Sequence, residues 1–365
     1  MPRQTRRRTL VRAAAAAVMA IGALAPAAAA TARPDPVQQG LNALVVDDGV
    51  PAALASVKDR DGRARTYTAG ARDGQVRIGS NTKTFTAVVV LQLVGEGRIG
   101  LDDKVETHLP DLVRGEGIDG RRITVRELLQ HTSGLPDYEA DVTDDILGRR
   151  YLEPRDILDI AFRHKAVFEP GTSWAYSNTN YVLAGLIAQK ITGRPLGEEI
   201  DKRIVRPLGL RHTYFPTAGD MTIREPHPKG YHQDAPGAPL RDVTEIDPSA
   251  SWAAGQMIST NADLNQFLTA LLDGRLLRPA QLAQMRTTVP LGDTGAGYGL
   301  GLMSRPLSCG GVYWGHGGDI AGYETRGGVT DDGRAAAVAV TTDPVDGAVA
   351  KHVEKLVDTA LCRSA

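Results

Sequence analysis

The chain has 365 residues, 42% hydrophobic and 23% charged, which matches a soluble globular protein with a sizeable core and excludes disordered and collagen-like chains. The formal net charge is −1. It falls to about −6 without the five arginines of residues 1–30, a balance that disfavours nucleic-acid and anionic-membrane binding.

Residues 1–30 read as an export signal. "PRQTRRRTLVR" is basic, "AAAAAVMAIGALAP" is an apolar core, and the small residues that follow suit cleavage near Ala30. The apolar run is Ala-rich, interrupted by Pro26 and marginal for a membrane span, so a secreted protein without a stable membrane anchor is expected. Paired arginines leave both Sec and twin-arginine export open. Residues 31–37 are expected to form a flexible lead-in, and 38–365 one domain.

"QQGLNALVVDDG" predicts a first helix, and "PAALASVKDRDGRARTYTAG" a hairpin turning at Asp-Gly. Between about 100 and 290 the pattern is mostly helical: "TVRELLQHT", "EPRDILDIAFRH", "NYVLAGLIAQKITG" and "NADLNQFLTALLDG" place apolar residues three and four apart. "YETRGGVTDDGRAAAVAVTTD" predicts a second hairpin, and "DGAVAKHVEKLVDTAL" a closing helix. The expected fold is α/β (α+β): an antiparallel sheet built from both chain ends, flanked by helices, with a mainly helical region inserted. A site would lie in the seam between the two regions.

Three short stretches carry chemistry. In "GSNTKTF", Ser80 stands at the start of a predicted helix and Lys83 follows one turn later on the same face. Such a serine is otherwise a plain N-cap. At a helix start, however, its oxygen lies beside free N–H groups and the positive end of the helix dipole, and a lysine amine there can take its proton. A lysine acting as base near pH 7 must sit about three pH units below its ordinary pKa of about 10.4, which requires burial. "WAYSNTNY" places Tyr176 and Asn178 in a polar turn before an apolar helix, and Tyr176 is the alternative base. "YWGHGGDIAGY" brings His316, Gly318 and Asp319 into a β segment whose glycines permit close approach of a ligand.

Ser-x-x-Lys, then Tyr-x-Asn, then His-x-Gly, in this order, resemble the serine penicillin-recognising enzymes, whose signature is S-x-x-K, S-D-N and K-T-G. The Tyr-Ser-Asn and His-Gly-Gly variants are similar to secreted actinomycete-type D-alanyl-D-alanine carboxypeptidases, class C β-lactamase relatives and related esterases. "LLQHTSGL", "SWAAGQMIST", "GYGLGL" and "LSCGGVYWGHGG" extend the resemblance over about residues 40–362. It implies an acylated Ser80, with Lys83 and Tyr176 sharing proton transfer. Asn178 would bond the substrate amide, and His316 would supply charge or a hydrogen bond near Tyr176. The backbone N–H groups of Ser80 and Asp319 would form an oxyanion hole beside Gly318, and Trp252 would line the cleft.

The implied activity is D-alanyl-D-alanine carboxypeptidase action on peptidoglycan stem peptides, through an acyl-enzyme. Esterase, D-amino-acid peptidase and β-lactamase activities use the same chemistry, and a non-catalytic penicillin-binding sensor is the reading from another class. Expected partners are a peptidoglycan peptide or other small acyl substrate, and β-lactams. A monomer is expected, with no cofactor, no metal and no nucleic acid; two distant cysteines without matching histidines make no zinc signature. Cys309 and Cys362 are expected to form one disulfide in an oxidising compartment, with free buried thiols as the alternative.

Two positions depart from the carboxypeptidase pattern. Met303 stands where those relatives carry an arginine for the substrate's terminal carboxylate, and Asp319 adds a negative charge beside the same place. Recognition of a free carboxylate is therefore expected to be weak unless Asp319 turns away or pairs with Arg305 or Arg326.

Overall fold

The computed structural model describes residues 1–2, 35–142, 150–235, 237–343 and 347–363. The expected signal segment and the first part of the lead-in lie outside them. The chain divides into Met1–Pro34 and a second unit, Asp35–Ala365, which holds the sheet, the helices and the candidate site. The lead-in ends earlier than expected: Asp35 caps helix α1 (Pro36–Val46), its carboxylate accepting from the Val37 N–H at 2.9 Å. Pro36 at the first helical position and fully buried Val37 make these residues part of the fold.

The central sheet contains β1 (Ala53–Lys58), β2 (Ala64–Ala69), β3 (Val289–Pro290), β4 (Gly297–Tyr298), β5 (Met303–Pro306), β6 (Val312–Gly315), β7 (Gly318–Ile320), β8 (Tyr323–Thr330) and β9 (Ala335–Val340). Their order is β2-β1-β9-β8-β6-β5-β4-β3, with β7 paired to β8. The first and last strands lie side by side, Ala53 opposite Val340 and Lys58 opposite Ala335. Both expected hairpins are present. Strands β3 to β5 were not expected; at two to four residues each, they are too short to show alternation.

Both faces of the centre are buried, so β9 reads as an unbroken apolar run. On one face Ala335, Ala337 and Ala339 pack with Leu54 into the larger core; on the other Ala336, Val338 and Val340 pack with Ala53, Ala55 and Val57. That second face is covered by α1, through Val37, Leu41 and Leu44, and by the last helix (Gly347–Cys362), through Val353, Leu356 and Val357.

The larger core surrounds α2 (Thr82–Gly95), in which Thr82 through Leu91 and Leu93 are all buried. A helix apolar on every side belongs at the centre of a domain. Around it lie α3 (Val125–Gln130), α4 (Asn178–Thr192), α5 (Trp252–Gly255) and α6 (Asn261–Leu272). Thr124 and Glu127 close α3 with a capping box, and His131 ends it in the left-handed conformation at φ 61°. Among the described residues no helix is long and apolar enough to cross a membrane.

A disulfide joins Cys309, in the turn between β5 and β6, to Cys362 at the end of the last helix. It closes a loop over 53 residues, worth about 4 kcal/mol in the chain-entropy account. Replacing both cysteines by serine is expected to lower the thermal midpoint by several degrees. Reducing the wild-type protein should reproduce that shift, and equal midpoints for oxidised and reduced wild type would refute it.

Candidate active site

Ser80 lies in a short 3-10 turn (Gly79–Asn81) that runs directly into α2, so it is not a side-chain cap of that helix. Gly79 is held at φ 47°, and a Cβ there would come within 2.8 Å of the backbone nitrogen of Asp319. A Cβ on Gly318 would come within 2.0 Å of the Ile78 carbonyl. Glycine at both positions is what lets strand β7 lie against the serine turn.

Lys83 is completely buried. Its Nζ is 2.9 Å from Ser80 Oγ, 2.7 Å from Asn178 Oδ1 and 2.9 Å from the Ala254 carbonyl. The Tyr176 hydroxyl is 2.8 Å from Ser80 Oγ. Loss of hydration brings the lysine down to about 7, against the opposing charges of Glu139, Asp137 and Asp319. Burial, with Tyr298 alongside, pushes the Tyr176 phenol well above its ordinary range. Above about pH 7 these directions fit one proton arrangement. A neutral Lys83 donates to Asn178 and Ala254 and offers its lone pair to the serine proton, while Tyr176 donates to Ser80 Oγ. Every polar hydrogen of Ser80, Lys83 and Tyr176 then has an acceptor.

Asn178 is engaged at both ends. Its oxygen accepts from Lys83, and its Nδ2 donates to Asp137 (3.1 Å) and Glu139 (2.7 Å). Its expected bond to a substrate amide is thus already taken up by neighbours. Withdrawal from water raises both carboxyls above their ordinary values, and each raises or is raised by the charge next door: Asp137 adds to the rise at Glu139, and Lys83 lowers both. The cleft over Ser80 is lined by Tyr138, Glu139, Asn178, Ser251 and Asp319 among others. Asp137 and Glu139 carried no signal in the sequence, because they sit in a loop without periodicity.

Two expectations are corrected, and a third question, the partner of Asp319, is decided. Trp252 does not line this cleft; its indole lies over Gly185 of α4, where an added Cβ would meet it at 3.0 Å, and Ser251 takes the lining position. His316 supplies no positive charge, since burial and the charge of Lys83 lower it to about 3. Its Nε2 meets the Tyr298 hydroxyl at 3.0 Å, and its Nδ1 meets the Gly317 carbonyl at 2.5 Å. Asp319 does not confront the cleft with a free charge. It stands opposite Glu324 across β7 and β8, and its carboxylate pairs with Arg326 at 2.9 Å.

Arg326 is fully occupied, with Glu324 at 3.1 Å and Glu354 at 3.9 Å as well. Arg305 pairs with Glu354 at 2.7 Å. Neither arginine is a free anchor for a carboxylate. Met303 pairs with Gly315 between β5 and β6 and offers no charge. Among the described residues there is no group of three or more His, Cys, Asp or Glu that could hold a metal ion.

Known proteins share this arrangement of elements. The family model described as Beta-lactamase matches residues 27–360. A crystal structure of a D-stereospecific amidohydrolase from Streptomyces sp. superposes with TM-score 0.84 at 44% identity, covering 90% of this chain and 98% of that one. D-amino acid amidase from Ochrobactrum anthropi SV3, complexed with L-phenylalanine amide, superposes with TM-score 0.77 at 30% identity, covering 89% and 96%. Protein flp of Staphylococcus aureus (strain MW2) is 34% identical over 139 residues, which is 38% of this chain but only 27% of flp. The chain therefore spans about a quarter of the length of that curated relative. With the family model matched from end to end of the folded unit, and with this sheet and helix order, the chain is a serine hydrolase that belongs to the beta-lactamase family.

Proposed function

We propose that this protein is an exported D-stereospecific amidohydrolase, which cleaves the acyl bond of a D-amino-acid residue carrying a free α-amine. The observation that carries this reading is the charge of the cleft. Glu139 and Asp137 stand beside Ser80 and Lys83, while both nearby arginines are already paired with carboxylates. Such a site suits an ammonium on the acyl side and, among the described residues, leaves a carboxylate on the leaving side without a partner. The D-stereospecificity named for the Streptomyces amidohydrolase and the D-amino acid named for the Ochrobactrum amidase support the stereochemistry.

In this mechanism Glu139 holds the substrate ammonium, and the carbonyl oxygen enters a hollow formed by the N–H groups of Ser80 and Asp319. Neutral Lys83 takes the Ser80 proton as Oγ bonds to the carbonyl carbon. Tyr176 gives its proton to the leaving nitrogen as the C–N bond breaks, and the Lys83 ammonium, 4.8 Å from the tyrosine ring, restores the phenol. Water then attacks the ester with Lys83 as base, releasing the D-amino acid and returning the proton to Ser80. His316 takes no part in proton transfer, because it is neutral and its free nitrogen is bonded to Tyr298. The sequence of residues 1–30 favours export, which places the substrate among peptides outside the cell.

Carboxypeptidase action on D-alanyl-D-alanine stands behind this reading, because it requires a cation for the terminal carboxylate. One measurement tests the nucleophile that both share, and two decide between them. Fluorescent penicillin should label Ser80, and Ser80→Ala should lose both labelling and more than about a thousandfold of hydrolysis. Glu139→Gln should weaken turnover of a D-aminoacyl amide about 10- to 150-fold, the worth of a hydrogen bond to a charged group, and leave a simple aryl ester nearly unchanged. A wild-type preference for the D-alanyl-D-alanine acid over its amide would overturn the proposal.

The pH profile carries a further test. Lys83 must be neutral to act, so kcat/KM should rise as pH passes upward through about 7. With a D-aminoacyl amide it should fall again where the substrate amine loses its charge, about pH 7.7–8. With an N-acetylated substrate or an aryl ester the descending limb should be missing. A descending limb with every substrate would assign it to the enzyme and remove the ammonium argument.

A further inference from the structure

His131 is completely buried at the end of α3 and takes no part in the chemistry described so far. Yet it holds the loop that carries Tyr176 on both sides of that residue. Its backbone carbonyl accepts the Ala175 N–H at 3.1 Å, and its ring Nδ1 accepts the Ser177 N–H at 3.2 Å. The ring itself lies under the Tyr176 ring, with centroids 4.4 Å apart and planes tilted by 32°. For this geometry His131 adopts φ 61°, which a non-glycine residue rarely holds.

The proton positions around His131 follow from backbone chemistry. The Ser177 N–H can only donate, and Asn180 Nδ2 also points at Nδ1, at 3.1 Å, so Nδ1 carries the lone pair. Nε2 therefore carries the hydrogen and donates to the Tyr298 hydroxyl at 3.0 Å. At the other end the Gly317 carbonyl can only accept, so His316 Nδ1 carries its hydrogen and Nε2 its lone pair. The Tyr298 hydroxyl then donates to His316 Nε2 at 3.0 Å. The chain of bonds runs one way, from Ser177 through His131, Tyr298 and His316 to Gly317. His131 and Tyr298 are fully buried and His316 nearly so.

This chain joins two parts of the site that approach from different regions of the fold. One end is the loop of Tyr176. The other is the turn into β7, whose Gly318 and Asp319 lie against the serine turn. We propose that His131 and Tyr298 are positioning residues for the hydrolytic reaction: their one-way hydrogen-bond chain, locking His316 as the Nδ1–H tautomer, sets the distance between the Tyr176 hydroxyl and the oxyanion donor of β7. The proposal rests on the acyl-serine reading for its kinetic consequence, but not for its proton arrangement.

The test uses the whole protein and two independent readouts. Imidazole nitrogen NMR at pH 7 should show His131 as the Nε2–H tautomer and His316 as the Nδ1–H tautomer. Tyr298→Phe removes only one hydroxyl and keeps the ring. In that variant kcat for an aryl ester, and the rate of acylation by fluorescent penicillin, should fall about 10- to 100-fold, the scale of a small misplacement of reacting groups. KM should stay within about threefold, because the loss falls on the transition state. His131→Asn keeps an acceptor for the Ser177 N–H and should retain more activity than His131→Ala. If His131→Ala does not fold, Tyr298→Phe still decides the matter. A folded Tyr298→Phe enzyme acylating at the wild-type rate overturns the proposal, as does a protonated or Nδ1–H His131. A wild-type protein that never acylates at Ser80 would overturn the nucleophile assignment, and the tautomers alone would then decide this one.

Discussion

The structure depends on the burial of a single amine. Lys83 is completely buried on a helix that is buried on nearly every side, with three oxygen atoms around its nitrogen. Desolvation of a charged ammonium there is costly, and the side chain answers by losing its proton at about pH 7. That shift converts an ordinary surface-type residue into a base of the right strength. A hydrophobic residue of the same volume would suit the core better, so this position exchanges stability for chemistry.

The charges around Lys83 have a consistent layout. Carboxylates of Asp137 and Glu139 lie on one side and reach the lysine only through Asn178, which accepts from the amine and donates to both acids. A direct ion pair would have restored the lysine's charge; the intervening amide limits that pull. On the opposite side His316 is neutral, and Arg326 is surrounded by Asp319, Glu324 and Glu354. Among the described residues the cleft is thereby left with carboxylates at its edge and no unpaired arginine beside them. The proposed selectivity for an ammonium and against a carboxylate rests on this whole arrangement rather than on one side chain.

Two regions of the fold must meet to within a fraction of an ångström for Ser80, Tyr176 and Asp319 to work together. Close approach of β7 to the serine turn is a matter of absent atoms, the missing Cβ groups of Gly79 and Gly318. Placement of Tyr176 is a matter of buried polar bonds, drawn from His131 and its neighbours. Buried hydrogen-bonded groups are expensive to leave unpaired, which makes such a chain a stiff connector between segments far apart in sequence.

Much of this was legible in the residues alone. The hairpins at both ends, the closing helix and the helices of the middle region follow from periods of two and three to four that the chain displays openly. The order of Ser80 and Lys83, Tyr176 and Asn178, His316 and Gly318 marked the chemistry, because such triplets in order are rare by chance. Short-range rules do not reach further. Strands β3 to β5 are too short to alternate, and Asp35 through Val37 join the fold because Tyr67 of β2 bonds Asp35 and the sheet and last helix give Val37 an apolar surface. Asp137 and Glu139 gain meaning only when Asn178, some forty residues away, is brought between them and Lys83. The neutrality of His316 and the turning of Trp252 toward Gly185 are likewise settled by partners distant in sequence, and the pairing of Asp319 with Arg326 by the register of β7 on β8. A side chain's charge and direction depend on what surrounds it, and those surroundings exist only once the chain has folded.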